Sequence, residues 1–404
     1  MKIEQLKDIV NQIQKEVTGK EEIATLDASN VVDIGKEIFD NTSVDNYVKS
    51  LVDKVGKTIF VDRKYSGSGI NVLMDSWEFG SVLEKIDVEL PDAVQNDTWN
   101  LTDKQSYSQD TFYKPIVSSK FFNSKTTFEI DVSFTERQVK ESFNSMNELN
   151  AFISMIYNSV EKSFTVKLDG LIMATLNNMT AQTLHSDFSD VVGDAYQTKS
   201  SIKAVNLLYE YNIKFEKTLT VANALTDPDF LKYASVVINS YVDRISKMST
   251  LFNIGGKNRF TPMNDLNLIM LSDFANSEKA YLQADTKNKE LVALPNAENV
   301  PYWQGTGKDY SFENVSSINV NIKVDNTSKN VKISGILAVL FDKNAVAVCN
   351  NDRRVTTYYN AKGEFYNNFY KFDCTYLNDL NENFVVFFIN DKAQAWLYIL
   401  EWFK

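Results

Sequence analysis

Between Ser145 and Asn178, apolar residues recur at Leu149, Ile153, Ile156, Val160, Phe164, Leu168, Leu171 and Leu176, in alternating steps of four and three until the last. That spacing lines one face of an α-helix. Ser145 and Glu148 have the spacing of a capping box and give the helix a start. Roughly 34 residues of continuous helix would span about 50 Å, long for a globular domain. Gly170 and the pair Thr165–Val166 each cost ~0.5–1 kcal/mol relative to Ala, which predicts a gentle bend without a break. Such a helix is either a core element of a large α/β domain or a spine that links distant parts of an extended subunit.

Upstream, residues 1–17 and 27–55 carry helical patterns, through Ile3, Leu6 and Ile9 and through Val31, Val48 and Leu51. So small a unit cannot bury both apolar faces alone and must lie on the rest of the chain or on another subunit. Gly67-Ser68-Gly69 reads as a flexible tip, and Ile70–Met74 and Val82–Leu90 alternate as strands do. The polar, turn-rich run around Asn96–Asp110 predicts an interaction loop, leading into β-like runs at Thr111–Val117 and Thr126–Phe134 and a short helix over Thr135–Phe143.

After the long helix, Thr180–Ser201 reads as a polar connector, 201–211 as a helix and Leu219–Ala222 as a short strand. Asp227-Pro228 opens a helix to about Met248, because Pro suits the first turn. Leu266–Leu271 is a buried strand followed by a helix at Ser277–Leu282, and Pro295–Trp303 is loop. Ser317–Val324 alternates with period two. Val331–Val348 reads as a hairpin-like pair around Asp342-Lys343-Asn344, with further strands at Arg354–Tyr359, Phe365–Tyr376 and Phe384–Ile389. Trp396–Trp402 is an aromatic tail apolar enough to dock. Helices and strands come in blocks, so the class is α+β.

Composition adds bounds. With 404 residues, 44% hydrophobic and 24% charged, the chain can build two or three compact regions. Its net charge of −11 argues against a basic groove that grips nucleic acid without regard to sequence. Cys349 and Cys374 make no disulfide framework and read as ordinary thiols. The start of the chain has no apolar core for a signal peptide, and no run is long enough for a membrane span, so a cytoplasmic, membrane-free protein is expected.

The candidate chemistry is thin. His185, the one histidine, has no GxSxG elbow to serve, and no metal-binding spacing occurs. Gln304–Asp309 imitates a phosphate loop, but Tyr302 replaces its first Gly and Asp309 its Ser/Thr, so it is a surface turn. The aromatic group Tyr358, Tyr359, Phe365, Tyr366, Phe369, Tyr370 and Phe372 could stack sugars or bases, yet its alternation favours core and interface packing. No catalytic, cofactor or metal residue is nominated, and no enzyme is expected.

The run from Gly335 to Cys374, followed by NENFVVFFIND, resembles the closing part of tailed-phage major capsid proteins of Hong Kong 97 type, most closely those of small short-tailed phages. An apolar strand (Leu337–Phe341), an Asp342-Lys343 turn and a second strand (Ala345–Val348) come first. A turn from Asn360 to Gly363, an aromatic strand (Phe365–Phe372) and a last apolar strand (Phe384–Ile389) carry the rest of the likeness. The segment Asn264–Val300 resembles an apical strand and helix of the same proteins, and the order of hairpin loop, strand and long helix at 59–178 fits as well.

The resemblance implies an α+β capsid fold with an N-terminal arm (1–58) and an extended β-hairpin loop (59–115). It further implies a peripheral domain with the spine helix (116–200), an axial domain (201–335), and return strands of the peripheral domain with a C-terminal tail (336–404). It implies a subunit that assembles with itself into pentamers and hexamers of an icosahedral or prolate shell around double-stranded DNA, without sequence-specific DNA contact. A scaffolding protein, a portal protein at one vertex and a place in the virion come with it. The alternatives are an encapsulin-like nanocompartment shell and a carboxylate-dependent hydrolase.

Overall fold

The computed structural model describes residues 44, 46–51, 72, 83–91, 93, 95–96, 98–107, 110, 112–144, 146–188, 199–285, 296–303, 315–324 and 327–391. The patterns at 1–17 and over most of 27–55, the Gly67–Gly69 tip, the Ile70–Met74 run apart from Val72, the Ser145 cap, the Gln304–Asp309 turn and the aromatic tail lie outside them. Within 27–55, residues 46–51 are helical, with Tyr47, Val48 and Leu51 buried.

The long helix, here α2, runs unbroken from Met146 to Asp187, 42 residues in all. It follows a two-stranded ribbon, β1 (Leu83–Val88) and β2 (Val117–Phe122), a long strand β3 (Lys125–Thr135) and a one-turn helix α1 (Glu136–Glu141). Thr135 caps α1: its side chain accepts from the Gln138 N–H, and the Gln138 side chain accepts from the Thr135 N–H at 2.9 Å, a reciprocal box.

Two sheets share α2. Strands β10 (Val346–Asn360) and β11 (Phe365–Asn378) form a hairpin with β3 on its outer side, giving the order β10-β11-β3, all antiparallel. Every second residue of β11 faces the helix, which is why Tyr366, Tyr370 and Phe372 are buried while Phe365 and Phe369 are half-buried. Phe164 of α2 meets Phe372 at 4.3 Å between ring centres, and Phe152 meets Phe134 at 5.3 Å.

The second sheet has the order β4-β12-β9-β5-β6, from β4 (Ala204–Asn206), β12 (Phe384–Phe388), β9 (Ile336–Asp342), β5 (Leu266–Leu271) and β6 (Asn296–Val300). Its three central strands are buried at every position, as strands covered on both faces must be. The second half of α2 reaches this sheet: Phe188, just past its end, meets Phe388 edge to face, and the Asn177 amide donates to the Trp303 carbonyl just beyond β6. The helix therefore packs against both sheets, with its apolar face buried in the core between them.

The sheet is flanked by α3 (Leu207–Phe215), α4 (Val221–Ala224), α5 (Pro228–Ile245) and α6 (Ser272–Asp285), and a separate hairpin pairs β7 (Ile318–Val324) with β8 (Thr327–Ile333). The Asp227 side chain accepts from the Phe230 N–H at 2.9 Å with Pro228 in the first turn, as the sequence predicts.

Several expectations are corrected. Residues 180–187 continue α2, so His185 sits on a helix: the Thr180 and Thr183 hydroxyls donate to carbonyls four residues back, and Leu184 is buried. Polar side chains satisfied by their own helix look like a connector in sequence. Residues 204–206 form a strand before α3, 221–224 are helical, and the strand expected from Thr111 begins at Val117. Residues 296–300 are strand, held by parallel pairing with β5. Most consequentially, β9 and β10 are not a hairpin. The Asp342–Asn344 turn passes the chain from one sheet to the other, because β9 pairs with β5 and β12 while β10 pairs with β11.

Gly335, just before β9, has φ +84°, and a Cβ there would stand 2.1 Å from the Ile389 carbonyl oxygen. Glycine lets the backbone of β9 approach the end of β12, where the Ile389 N–H donates to the Gly335 carbonyl at 2.9 Å.

Candidate assembly site

The β1–β2 ribbon has two chemically opposite faces. Strand alternation sends Lys85 and Asp87 toward the body and Ile86 and Val88 outward, and on β2 it turns Lys120 inward and Phe121 outward. Lys85 and Lys120 are direct cross-strand partners, an arrangement that repels unless something neutralises it. Asp379, from the turn between β11 and β12, does so: its carboxylate takes Lys85 at 2.6 Å on one oxygen and Lys120 at 3.1 Å on the other.

Around that contact lies a small ionic node. Lys85 also reaches Glu382, and Arg259 pairs with Asp87 at 2.5 Å and with Glu382 at 3.3 Å. Lys257 holds Glu89 at 2.5 Å where the ribbon opens. The turn carrying both acids is itself braced. Asp379 donates its N–H to the Ala345 carbonyl, and Gly255 N–H donates to the Leu380 carbonyl at 2.8 Å. Beneath it, buried Asp342 accepts from the Thr261 hydroxyl at 2.7 Å, and Asn383 donates to that same hydroxyl at 3.1 Å.

Burial alone would raise the Asp379 carboxyl, but the hydrogen bond and charge of Lys85, the Asn381 N–H and Lys120 outweigh it and hold the group below its ordinary value. Glu382 goes the other way. Its burial is only partly offset by Lys85 and Arg259, and Asp342 nearby adds to the rise. Lys85 is pulled down by burial and pushed up further by the two acids, ending above its ordinary value. Of the two carboxylates, Asp379 bridges both ribbon lysines, whereas Glu382 meets Lys85 and Arg259.

The outer face is apolar and wet. Phe121 is 60% exposed, and the loop joining the strands puts out Trp99 at 95% and Phe112 and Tyr113 at 84%. Leu90, Leu101, Ile116 and Val117 are exposed as well. Exposed apolar side chains in such number are what interaction surfaces carry. The arrangement fixes the root of a projecting ribbon by charge and offers its free side for burial.

The other candidates from the sequence are dispersed. His185 faces Lys329 of β8 at 3.5 Å, and burial with that neighbouring charge lowers its pKa. Cys349 and Cys374 are buried and not joined in a disulfide. Of the aromatic group, Tyr359 stacks on Tyr366 at 4.8 Å and Tyr358 is 63% exposed, so most of it is packing. Among the described residues no group of three His, Cys, Asp or Glu side chains could hold a metal, and no helix is long and apolar enough to cross a membrane. The residues of the ionic node were not found from sequence. Their one local signal is a lysine at the inward parity of each ribbon strand.

A family model described as Phi29-like phage major capsid protein matches residues 8–388. The chain belongs to that family. It is a structural protein of the phage virion capsid, and the nanocompartment and hydrolase alternatives find no support. The α+β class stands, and with it the tailed-phage capsid fold that the resemblance implied. Among solved structures, the chain is similar to one in the capsid of Staphylococcus phage Andhra, with 9% identity over 81% of this chain and 86% of that one at a TM-score of 0.47. A chain of the capsid of cyanophage P-SCSP1u has 9% identity over 82% and 92% at 0.46. One of the mature capsid of bacteriophage PhiM1 has 8% identity over 81% and 89% at 0.43. No curated protein matches the chain.

Proposed function

We propose that this chain assembles with copies of itself, as pentamers and hexamers, into an icosahedral or prolate shell that encloses double-stranded DNA. The observation that carries the reading is the two-faced ribbon: its root is ionically fixed to its own body, and its apolar side and tip stand in solvent. Residues 59–115 serve as the extended loop that lies over a neighbouring subunit, and residues 1–58 as an arm packed on neighbours. Residues 116–200 form the peripheral domain around α2, and 201–335 the axial domain. The return strands within 336–404 divide, β10 and β11 joining the sheet of β3 while β9 and β12 join that of β4 to β6. Several interfaces of about 1,200–2,000 Å² per pair would hold a shell whose single contacts can still rearrange.

A scaffolding protein during assembly and a portal protein at one vertex are the further partners of this reading. The net charge of −11 supports a wall that packaged DNA does not stick to. The test is deletion of Asp92–Asp103. Electron microscopy of the product should show no closed shells, or shells that open at lower temperature than wild type. Closed shells of normal stability would remove the latching role.

A further inference from the structure

At the root of the β1–β2 ribbon lies a half-open hollow of about 430 Å³. Phe122 closing β2, Leu171 and Ala174 of α2 and Leu377 of β11 give it apolar walls. Three amides line the rest and converge on one atom. The Gln182 side-chain N–H donates to Asn178 Oδ1, and the Asn378 side-chain N–H donates to the same oxygen at 3.1 Å. Among the described residues nothing donates to the Gln182 side-chain oxygen, so the hollow keeps an acceptor for a donor from elsewhere. Asn378 is followed by Asp379, so the hollow adjoins the ionic clamp.

The far end of the same ribbon carries a matching group. Leu83 pairs with Phe122 beside the hollow and Val88 with Val117 five steps on, about 17 Å away at the rise of a strand. The Glu89 N–H donates to the Ile116 carbonyl at 2.9 Å and continues the ladder, so the joining loop departs from that far end. Its Trp99 is 95% exposed and therefore not seated in the hollow of its own chain. The neighbouring turn is preformed: the Gln105 N–H donates to the Thr102 carbonyl at 3.3 Å, and the Thr102 N–H to the Tyr107 hydroxyl at 3.2 Å. An indole ring removes ~150–250 Å² of surface from water and brings one N–H that can only donate. Apolar walls with a waiting acceptor suit it. A hollow at one end of an element and a protruding ring at the other make a head-to-tail contact, which closes into a ring when the rotation allows.

We propose that Trp99 of one copy seats in the hollow of the next, its indole N–H donating to the Gln182 side-chain oxygen. Each ribbon is then fixed at its root by its own body and caught at its tip by a neighbour. This rests on the shell reading and names the contact through which a ring of subunits closes.

Asn100, beside the ring, and Ala174, on the wall, are both exposed and supply probe positions, while the two native cysteines are buried. In assembled shells, a short bismaleimide should join Asn100→Cys to Ala174→Cys between subunits, in ladders that stop at the pentamer and hexamer. Adding Trp99→Ala should slow the linking about thirtyfold, the loss that truncating an anchor residue brings. Trp99→Phe keeps a ring without the donor and should fall between. Ala174→Trp, which fills the hollow from its own wall, should stop shells from forming while the denaturant midpoint of the subunit stays put. Shells whose cysteine pair does not link, or links within one subunit, would overturn the proposal and leave the shell reading standing. Equal rates with and without Trp99, or normal shells from Ala174→Trp, would do the same. A wild type that forms no particles in electron microscopy would overturn both.

Discussion

Strand β12 and the outer face of the β1–β2 ribbon carry similar apolar residues and meet opposite fates. Phe384–Phe388 is buried at every position between α2, α5 and the neighbouring strands, with Phe387 against Tyr241 at 5.3 Å. Ile86, Val88 and Phe121 on the ribbon are more than half exposed. Burial within the chain stabilises the first; the ribbon stands by backbone pairing and the charges at its root. One region's hydrophobicity is used up in folding, and the other's faces solvent, on the side that the proposed assembly would cover.

Truncation should separate the two most sharply. Phe387→Ala should cost about 3–5 kcal/mol, the range for emptying an aromatic site in a packed core, read from the denaturant midpoint of unassembled subunits. Removing the acid that holds the ribbon comes next. Asp379→Asn leaves Lys85 and Lys120 opposed, and since both lysines keep partial contact with water the loss should be about 1–3 kcal/mol, below the full cost of breaking a buried pair. A loss as large as that of Phe387→Ala would mean the ribbon belongs to the folding core, and the contrast would fail.

The pH dependence sharpens the same point. Asp379 is depressed in the folded state, so its contribution is complete above 3.8 and is lost as pH falls through its lower folded value. Glu382 is raised, so it takes up its proton above 4.5 and favours the folded state on the way down. Lys85 is raised, so its share persists below 10.5 and fades as pH rises through its folded value. Denaturant midpoints measured against pH should show Asp379→Asn flattening the limb below 3.8 and leaving the response to Glu382 in place.

The smallest effect on stability should come with a large effect on assembly. Trp99 is 95% exposed, and Trp99→Ala should move the unfolding free energy by no more than about 0.5 kcal/mol, as surface changes do. Shell yield by sedimentation should nonetheless drop. A destabilised subunit with normal shells would reverse the roles given to the two regions.

Much of the fold was legible because its signals are local. The four-and-three spacing of α2, the Asp227-Pro228 start of α5, the unbroken apolar runs of β5, β9 and β12 and the Asn360–Gly363 turn each follow from neighbours in sequence. Asn360 accepts from the Gly363 N–H at 3.0 Å, as that turn requires. The polar strand β6, the last two turns of α2 and the ribbon's ionic root were not legible. Lys85 meets a partner nearly 300 positions away, and nothing near Asp379 announces it.

By itself, then, the sequence determined which stretches are helix or strand wherever burial on one side imposes a period. It also carried the likeness to the family, most specifically in the run from Gly335 onward, and the family model over residues 8–388 shows it. The tertiary structure alone decided that β9 and β10, adjacent in the chain, belong to different sheets, and that one ribbon face is held by charge while the other is left to solvent. The physical reason is that strand pairing and ion pairing join residues distant in sequence. A strand's own pattern states which faces are apolar, not which neighbour will cover them.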